Sequence, residues 1–422
     1  MKFIVDSSKL RQKRNIGLEN EKLFQDVKKI IHDVQKEGDS ALRRYSEQFD
    51  GAKVQDFLVS RSEIKEQSKK VSDEFREAAS VAKENIKAFH KRCMPKEVEM
   101  ISNDKITLGQ LIVPYDTVGC YVPSGKNPYP SSVLMNIIPA QIAGVAKVVV
   151  ATPPKADGKI DPYIAAALEM LNVTKNVYKI GGAQAIAAMA YGTQTVPKVQ
   201  KIVGPGNMYV ATAKKYIEDC GVCAKTFFAG PSDVLIIADE TANSKFITYD
   251  LLSQAEHGVD SEAVLVTTSK SLAKSVEDNL NTQIESDRTT LSYENIVISV
   301  LPTIDECIKY ANQYAPEHLQ IITKEDERIH LKKIKNAASI FLGEYTPVSI
   351  GDYISGTNHI LPTYGFSEFY SGLNVDSYLK KPTWQMANKN ALKKLKKHIE
   401  VLTTVEQFEN HKRSVLIRLD DD

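Results

Sequence analysis

KVVVATPP (147–154), NVYKIGG (176–182) running into AQAIAAMAYG (183–192), and KIVGPG (201–206) running into NMYVATAKKYI (207–217) are the segments that decide the fold class. Each begins with a short apolar, β-branched run, and Pro or Gly stops it. Two of them continue straight into a helical stretch. Strands covered on both faces read as uninterrupted apolar runs, and a strand–turn–helix repeat makes successive strands parallel. Upstream, GCYVP (119–123) reads as another strand, and SSVLMNIIPAQIAGVA (131–146) as a helix ending at Gly144. Downstream the rhythm resumes with DVLIIAD (233–239), the helix FITYDLLSQAEH (246–257), the strand AVLVTT (263–268) and a helix from Ser271. ENIVISV (294–300), the helix CIKYANQY (307–314), LQIIT (319–323) and SIFLGEY (339–345) follow.

The fold class expected is therefore α/β, with two doubly wound units, one interrupting the other. Residues 119–233 form one unit and 21–118 plus 234–378 the other. A short N-terminal segment (1–20) and a tail (379–422) flank them. From about Ser7 to Lys96 the pattern is charged and helical. In the tail, ALKKLKKHIEVL (391–402) puts Leu392, Leu395, Ile399 and Leu402 at helical spacing among lysines. Such a stripe packs on its own chain or on a second subunit. With no aromatic anchor, it is a poor membrane helix.

Composition narrows the function. The 422 residues contain 54 Lys and Arg against 53 Asp and Glu, so net charge gives no footprint for nucleic acid or an anionic membrane. Hydrophobic residues at 42% and charged residues at 25% are ordinary for a globular chain of two or three domains. The first residues lack an apolar run of signal-peptide length, and no stretch approaches the ~20 apolar residues of a bilayer span. Five scattered cysteines do not form a disulfide framework, so the cytoplasm is the expected compartment.

Several patterns carry chemistry. GGAQ (181–184) and GPGN (204–207) are glycine turns between strand and helix, where backbone N–H groups attract anions. Neither is a GxGxxG fingerprint; alone, each is also an ordinary βα turn. As a pair they suggest a ligand crevice at strand carboxyl ends. SQAEHG places Gln254 and His257 three apart on one helical face, an oxygen and an imidazole suited to a borderline divalent ion, or else a polar rim. Asp352 and His359 of GDYISGTNH and His411 of NHKR are further donors. APEHL sets Glu317 and His318 before a strand, a base and an adjacent carboxylate, or else a turn with a packed histidine. CGVC (220–223) follows a helix rather than opening one, which favours a structural over a redox reading. His32, His90, His330 and His398 read as surface residues.

These motifs, in this order, resemble the histidinol dehydrogenase family. The likeness runs from about Gly119 to Arg418 and rests on long strings, including GCYVPSGKNPYPSSVLM, IGGAQAIAAMAYGT, KIVGPGNMYVATAKKYI, DLLSQAEHG, APEHL, GDYISGTNHILPT and EQFENHKRSVLIR. The resemblance implies a zinc-dependent homodimer with two incomplete Rossmann-like domains and a tail swapped across the dimer. Its reaction would be oxidation of L-histidinol to L-histidine through the aldehyde, with two NAD⁺. Carried over by motif, Gln254, His257, Asp352 and His411 hold the metal, and Glu317 and His318 are the catalytic pair. Ser232, His359 and Glu406 join the metal ligands and His318 around the substrate. Tyr121, Gln184 and Asn207 touch NAD. Glu406 and His411 would serve the neighbouring subunit's site.

The chain departs from the family pattern at Ser124, Asp233 and Gln407, and in CGVCAKTFF (220–228); none of these removes a ligand or base. The nearest rival is a paralogue oxidising another small alcohol, such as 2,3-dihydroxypropane-1-sulfonate. Glu406 weighs against it, since a carboxylate suits a cationic substrate end. A non-catalytic metal or nucleotide sensor predicts a lost ligand or base, and there is none. Metal-assisted hydrolysis gives no reason for two dinucleotide-type units.

Overall fold

The structure is a computed structural model that describes residues 3–6, 10, 21–125, 127–227, 230–286 and 293–419. Most of the expected 1–20 segment lies outside the described residues. Four helices come first: α1 (Glu21–Glu37), α2 (Asp39–Tyr45), α3 (Arg61–Ser68) and α4 (Asp73–Arg92). Ser60 and Ser72 start α3 and α4 by accepting the N–H of Glu63 and Phe75, the usual N-cap arrangement. Three short strands follow, β1 (Val98–Ile101), β2 (Thr107–Gln110) and β3 (Val113–Pro114).

The first parallel sheet contains β4 (Thr117–Tyr121), β5 (Lys147–Thr152), β6 (Val177–Lys179), β7 (Lys201–Val203) and β8 (Ala224–Lys225), in the order β6-β5-β4-β7-β8. Between these strands run α5 (Pro130–Ala143), α6 (Pro162–Met170), α7 (Gly182–Tyr191) and α8 (Met208–Asp219). Gly144 ends α5 in the left-handed conformation, as its position suggested. The second parallel sheet contains β9 (Asp233–Ala238), β10 (Glu262–Thr267), β11 (Ile296–Val300), β12 (His318–Ile322) and β13 (Ser339–Leu342), in the order β11-β10-β9-β12-β13. Helices α9 (Ser244–Ala255), α10 (Lys270–Ser286) and α11 (Ile304–Tyr314) flank it. Both sheets have the doubly wound order 3-2-1-4-5, one strand short of the six-stranded Rossmann order. Ile4 adds a parallel bridge to Ile298 at the edge of the second sheet.

Residues 21–92 are arranged differently from the sequence grouping. Helices α1 and α2 share a core with α7 and α8 on one side of the first sheet, while α3 and α4 pack with α5 and α6 on the other. They thus belong with 119–233 rather than with 234–378. The reason is visible in α7: every residue from Ala183 to Ala190 is buried, so this helix is apolar all round and needs an outer layer beyond the sheet. The stripe Leu23, Val27, Ile30, Ile31 and Val34 of α1 supplies it.

The chain then continues through α12 (Val348–Tyr353), β14 (Leu379–Lys380), which pairs with β3, and β15 (Thr383–Met386), which pairs with β2. It ends in α13 (Lys389–Val405) and α14 (Glu409–Leu416), which pack on each other. Val401, Leu402, Val405, Phe408 and Ile417 of this pair are exposed. Among the described residues, no helix is long and apolar enough to cross a membrane.

Candidate active site

Strands β9 and β12 are neighbours, with His318 opposite Val234. Asp233 and Glu317 therefore meet at the amino edge of the second sheet and lock each other. The Glu317 N–H donates to Asp233 Oδ1 (2.8 Å), and Asp233 N–H returns a bond to Glu317 Oε2 (3.0 Å). The Ser232 hydroxyl also donates to Glu317 Oε2. Asp233 is thus a working part of the site. Burial holds the Glu317 carboxyl up at about 7, against the opposing pull of His318.

His318 is fully inside the molecule. Its Nδ1 lies 3.0 Å from the Asp233 carbonyl oxygen and 3.7 Å from Glu317 Oε2, and its Nε2 lies 3.5 Å from Asp352 Oδ1. Burial alone would lower its proton affinity; the Glu317 and Asp352 carboxylates outweigh it and raise it well above the ordinary value. With Nδ1–H donating to the Asp233 carbonyl, Nε2 is the nitrogen left for a reacting group, with Asp352 Oδ1 as its ionic neighbour at 3.5 Å.

Asp352 comes from α12, and its carbonyl accepts from His359 Nδ1 at 2.8 Å. His359 Nε2 in turn lies 3.2 Å from the Ser132 hydroxyl, in the first turn of α5. This contact joins the two halves of the molecule: α5 follows β4, so the carboxyl edge of the first sheet abuts the amino edge of the second. The crevice expected at carboxyl ends is therefore composite, and its acid–base groups come from amino ends. His257 completes the cluster, and Gln254 precedes it at the end of α9. Helix α9 stops at Ala255 with Glu256 as its C-cap, so His257 sits in the following turn, its N–H donating to the Gln254 carbonyl (3.2 Å), and not on a shared helical face. Gln254 is buried and its amide nitrogen has no partner. Burial lowers the His257 imidazole, while Asp352, His318 and His359 act on it electrostatically, which places all four in one cluster.

The first sheet's carboxyl edge holds the other group. Tyr121 is buried, and its hydroxyl accepts the N–H of Gly182 at 3.0 Å. Gln184 is buried with neither amide atom paired. Asn207 caps α8 by accepting from the Val210 N–H (3.1 Å). Sequence reasoning missed three residues here: Ser132, Asp50 beside Gly181, and the buried Lys214, whose ammonium donates to the Gly204 carbonyl at 2.7 Å. Lys214 follows Val210 by four and precedes Ile217 by three, which puts it on the buried face of α8; that spacing was its only signal.

Glu406 and His411 stand apart from both groups in the single chain. Glu406 is the exposed C-cap of α13, and His411 is exposed with its ring 5.0 Å from that of Phe408. Among the described residues, no group of three or more His, Cys, Asp or Glu side chains is arranged to hold a metal. Two expected surface histidines are buried. His90 has no exposed surface and no partner on either ring nitrogen, because it continues the Ala82–Ile86 face of α4; His330 is buried within 3.5 Å of the Thr323 hydroxyl. His32 and His398 are exposed. Cys223 is buried, with its thiol pushed up to about 12, which makes it unreactive and supports a structural reading of CGVC.

A family model described as histidinol dehydrogenase matches residues 13–419. Histidinol dehydrogenase from Methanocaldococcus jannaschii is 45% identical over 404 residues, covering 94% of this chain and 93% of its own length. The Bacillus cereus enzyme of that name is 43% identical over 415 residues, covering 97% and 96%. The crystal structure of histidinol dehydrogenase from Elizabethkingia anophelis superposes with a TM-score of 0.92 at 38% identity, covering 97% of this chain and 94% of that one.

Proposed function

The chain belongs to the histidinol dehydrogenase family, an oxidoreductase family, and on that premise we propose that it oxidises L-histidinol to L-histidine through L-histidinal with two NAD⁺, the last step of histidine biosynthesis. The observation that carries this reading is the Glu317–His318 pair, locked by Ser232 and Asp233 at the junction of the two sheets.

His318 Nε2 accepts the hydroxyl proton of the alcohol in the first oxidation, in the neutral form that a cation held by Asp352 would favour by offsetting the carboxylate that now raises the imidazole. Glu317, whose carboxyl changes protonation near neutrality, removes a proton from the water that adds to the aldehyde. His318, once its first proton has passed to solvent, accepts a proton from the resulting gem-diol in the second oxidation, and the carboxylic acid formed ionises to the carboxylate. NAD⁺, when bound, would supply the hydride acceptor for both oxidations. Its binding groups are Tyr121, Gln184 and Asn207. Ser232 acts through Glu317, whose carboxylate it orients, as well as by its position beside the substrate. His359 is held by Asp352 and Ser132 to face the same space.

A divalent ion such as Zn²⁺ suits the donors present: the amide of Gln254, the imidazole of His257 and the carboxylate of Asp352. Gln254 would bind through its amide oxygen, which leaves its buried amide nitrogen free to donate to a further group. His411 of the partner subunit is the proposed fourth ligand, with Glu406 of the partner subunit toward the cationic end of the substrate. Zinc would supply Lewis-acid orientation of the substrate's nitrogens. The dimer this requires also gives the exposed apolar surface of α13 and α14 a place to pack. The test is NADH formation by the zinc-loaded protein with L-histidinol beside 2,3-dihydroxypropane-1-sulfonate at equal concentration. Turnover of histidinol alone is expected; turnover of the sulfonate alone would move the activity to a paralogue.

A further inference from the structure

Asp50 ends the irregular helical turn Ser46–Asp50, and Gly51, in the left-handed conformation, redirects the chain after it. This turn carries the carboxylate onto the first sheet. A side chain added at Gly181 would meet Asp50 Oδ1 at 2.8 Å and the Pro153 ring at 3.0 Å. Pro153 directly follows β5, and Gly181 opens α7 after β6. An acid from the N-terminal third of the chain therefore stands at the carboxyl ends of two strands that have none of their own there: β5 runs out in Thr152-Pro153-Pro154.

The Asp50 carboxylate accepts a bond from the Gly181 backbone, but its Oδ2 is buried without a partner. The same edge holds other buried polar atoms without partners: Thr152 Oγ1, Ser124 Oγ and both amide atoms of Gln184. An unmet buried polar group costs ~1–3 kcal/mol, so several on one edge mark a place for a polar ligand. Charge sorts that ligand. The start of α7 already faces a carboxylate, which repels phosphate, whereas the Gly204–Asn207 turn at the start of α8 is backed by Lys214, which burial lowers to about 7 and a bound phosphate would hold in its charged form. These turns lie on opposite sides of β4 in the sheet order. The phosphates of a dinucleotide belong on the β7 side, and its hydroxyl donors belong beside Asp50.

We infer that Asp50 accepts the hydroxyls of a cofactor ribose at the carboxyl ends of β5 and β6, and thereby selects NAD over NADP. The inference rests on the cofactor reading above. In Rossmann folds an acid at the end of the second strand does this from within the sheet; here the N-terminal layer delivers it. A 2′-phosphate in that position would bring like charge against a half-buried carboxylate.

The test is calorimetric binding of NAD⁺ and NADP⁺ to the full chain and to Asp50→Asn and Asp50→Ala, with melting temperatures and the KM for L-histidinol alongside. The native protein is expected to bind NAD⁺ at least about tenfold more tightly than NADP⁺. Both variants should lose about tenfold in NAD⁺ affinity, so that the ratio falls toward one, with the KM for histidinol unchanged. Asp50→Asn keeps an acceptor for Gly181 and so guards against simple misfolding. Variants that keep the native ratio, whatever their melting temperature, would reduce Asp50 to a cap on α7. A native protein that binds both dinucleotides equally overturns the inference alone; one that binds neither overturns it together with the cofactor reading.

Discussion

At the scale of single residues, Glu317 is held by two donors, Ser232 Oγ and Asp233 N–H, and its carboxyl is kept near neutrality by burial. Glu317→Gln keeps the shape and loses the proton acceptor. It is expected to slow oxidation of L-histidinal by about 10²–10⁴-fold and to slow the first oxidation less. Single-turnover rates with histidinol and histidinal check this, and equal losses on both would remove Glu317 from the water-addition step. His90 provides a pH prediction. Burial holds its imidazole down at about 4, so between its ordinary value near 6.5 and 4 the unfolded chain takes up a proton that the folded chain refuses. Its contribution is present above about pH 6.5 and is lost as pH falls through that window, by about 3 kcal/mol in all. Urea unfolding at pH 7 and pH 5 should show a smaller acid loss for His90→Leu than for the native chain; parallel profiles would contradict the assignment. Glu317, His318, His257 and Asp352, which the structure brings together, were legible as candidates in the sequence because chemistry-bearing types crowd short strings. His90, Asp50 and Lys214 were not, since each is defined by what packs over it.

At the scale of elements, the turns after strands hold most of the groups proposed to bind the cofactor on the first sheet. Gly204 has φ +104°, and a Cβ there would lie 2.1 Å from the Tyr121 carbonyl oxygen, with the rest of the Tyr121 backbone just beyond it. Gly204→Ala is therefore expected to displace the GPGN turn, lower stability by more than about 1 kcal/mol and weaken NAD⁺ binding together, as melting and titration would show. Asn207→Ala removes the cap of α8 and is expected to cost about 1 kcal/mol. A Gly204→Ala variant with native melting and native binding would mean that the turn is not under the restraint the geometry implies. The strands and most helices could be read from apolar runs broken by Pro and Gly. Strand order could not, because local pattern does not say on which side of β4 each crossover returns. The end of α9 at Ala255 was also hidden: SQAEH continues a helical pattern, and Gly258 (φ +140°) lies beyond it.

At the scale of the whole molecule, the site exists because the carboxyl edge of one sheet meets the amino edge of another, joined through Ser132, His359 and Asp352. Sequence showed two α/β units but not this juxtaposition, nor that the helices of residues 21–92 form an outer layer on the first sheet. Exposed Glu406 and His411 leave the site short of two proposed members in one chain. Mixing His318→Asn with His411→Asn, each inactive alone, is expected to restore about a quarter of native activity, since only mixed dimers hold one intact site. No recovery after verified subunit exchange would contradict a ligand set shared between subunits. The central claim is a four-electron oxidation in one site, and the count of NADH formed per L-histidinol consumed by the zinc-loaded protein, with and without a chelator, tests it most directly. The account expects two NADH per histidinol, L-histidine as the product, and loss of activity on chelation that zinc restores. One NADH per histidinol with free histidinal released, or full activity in the chelator, would contradict it.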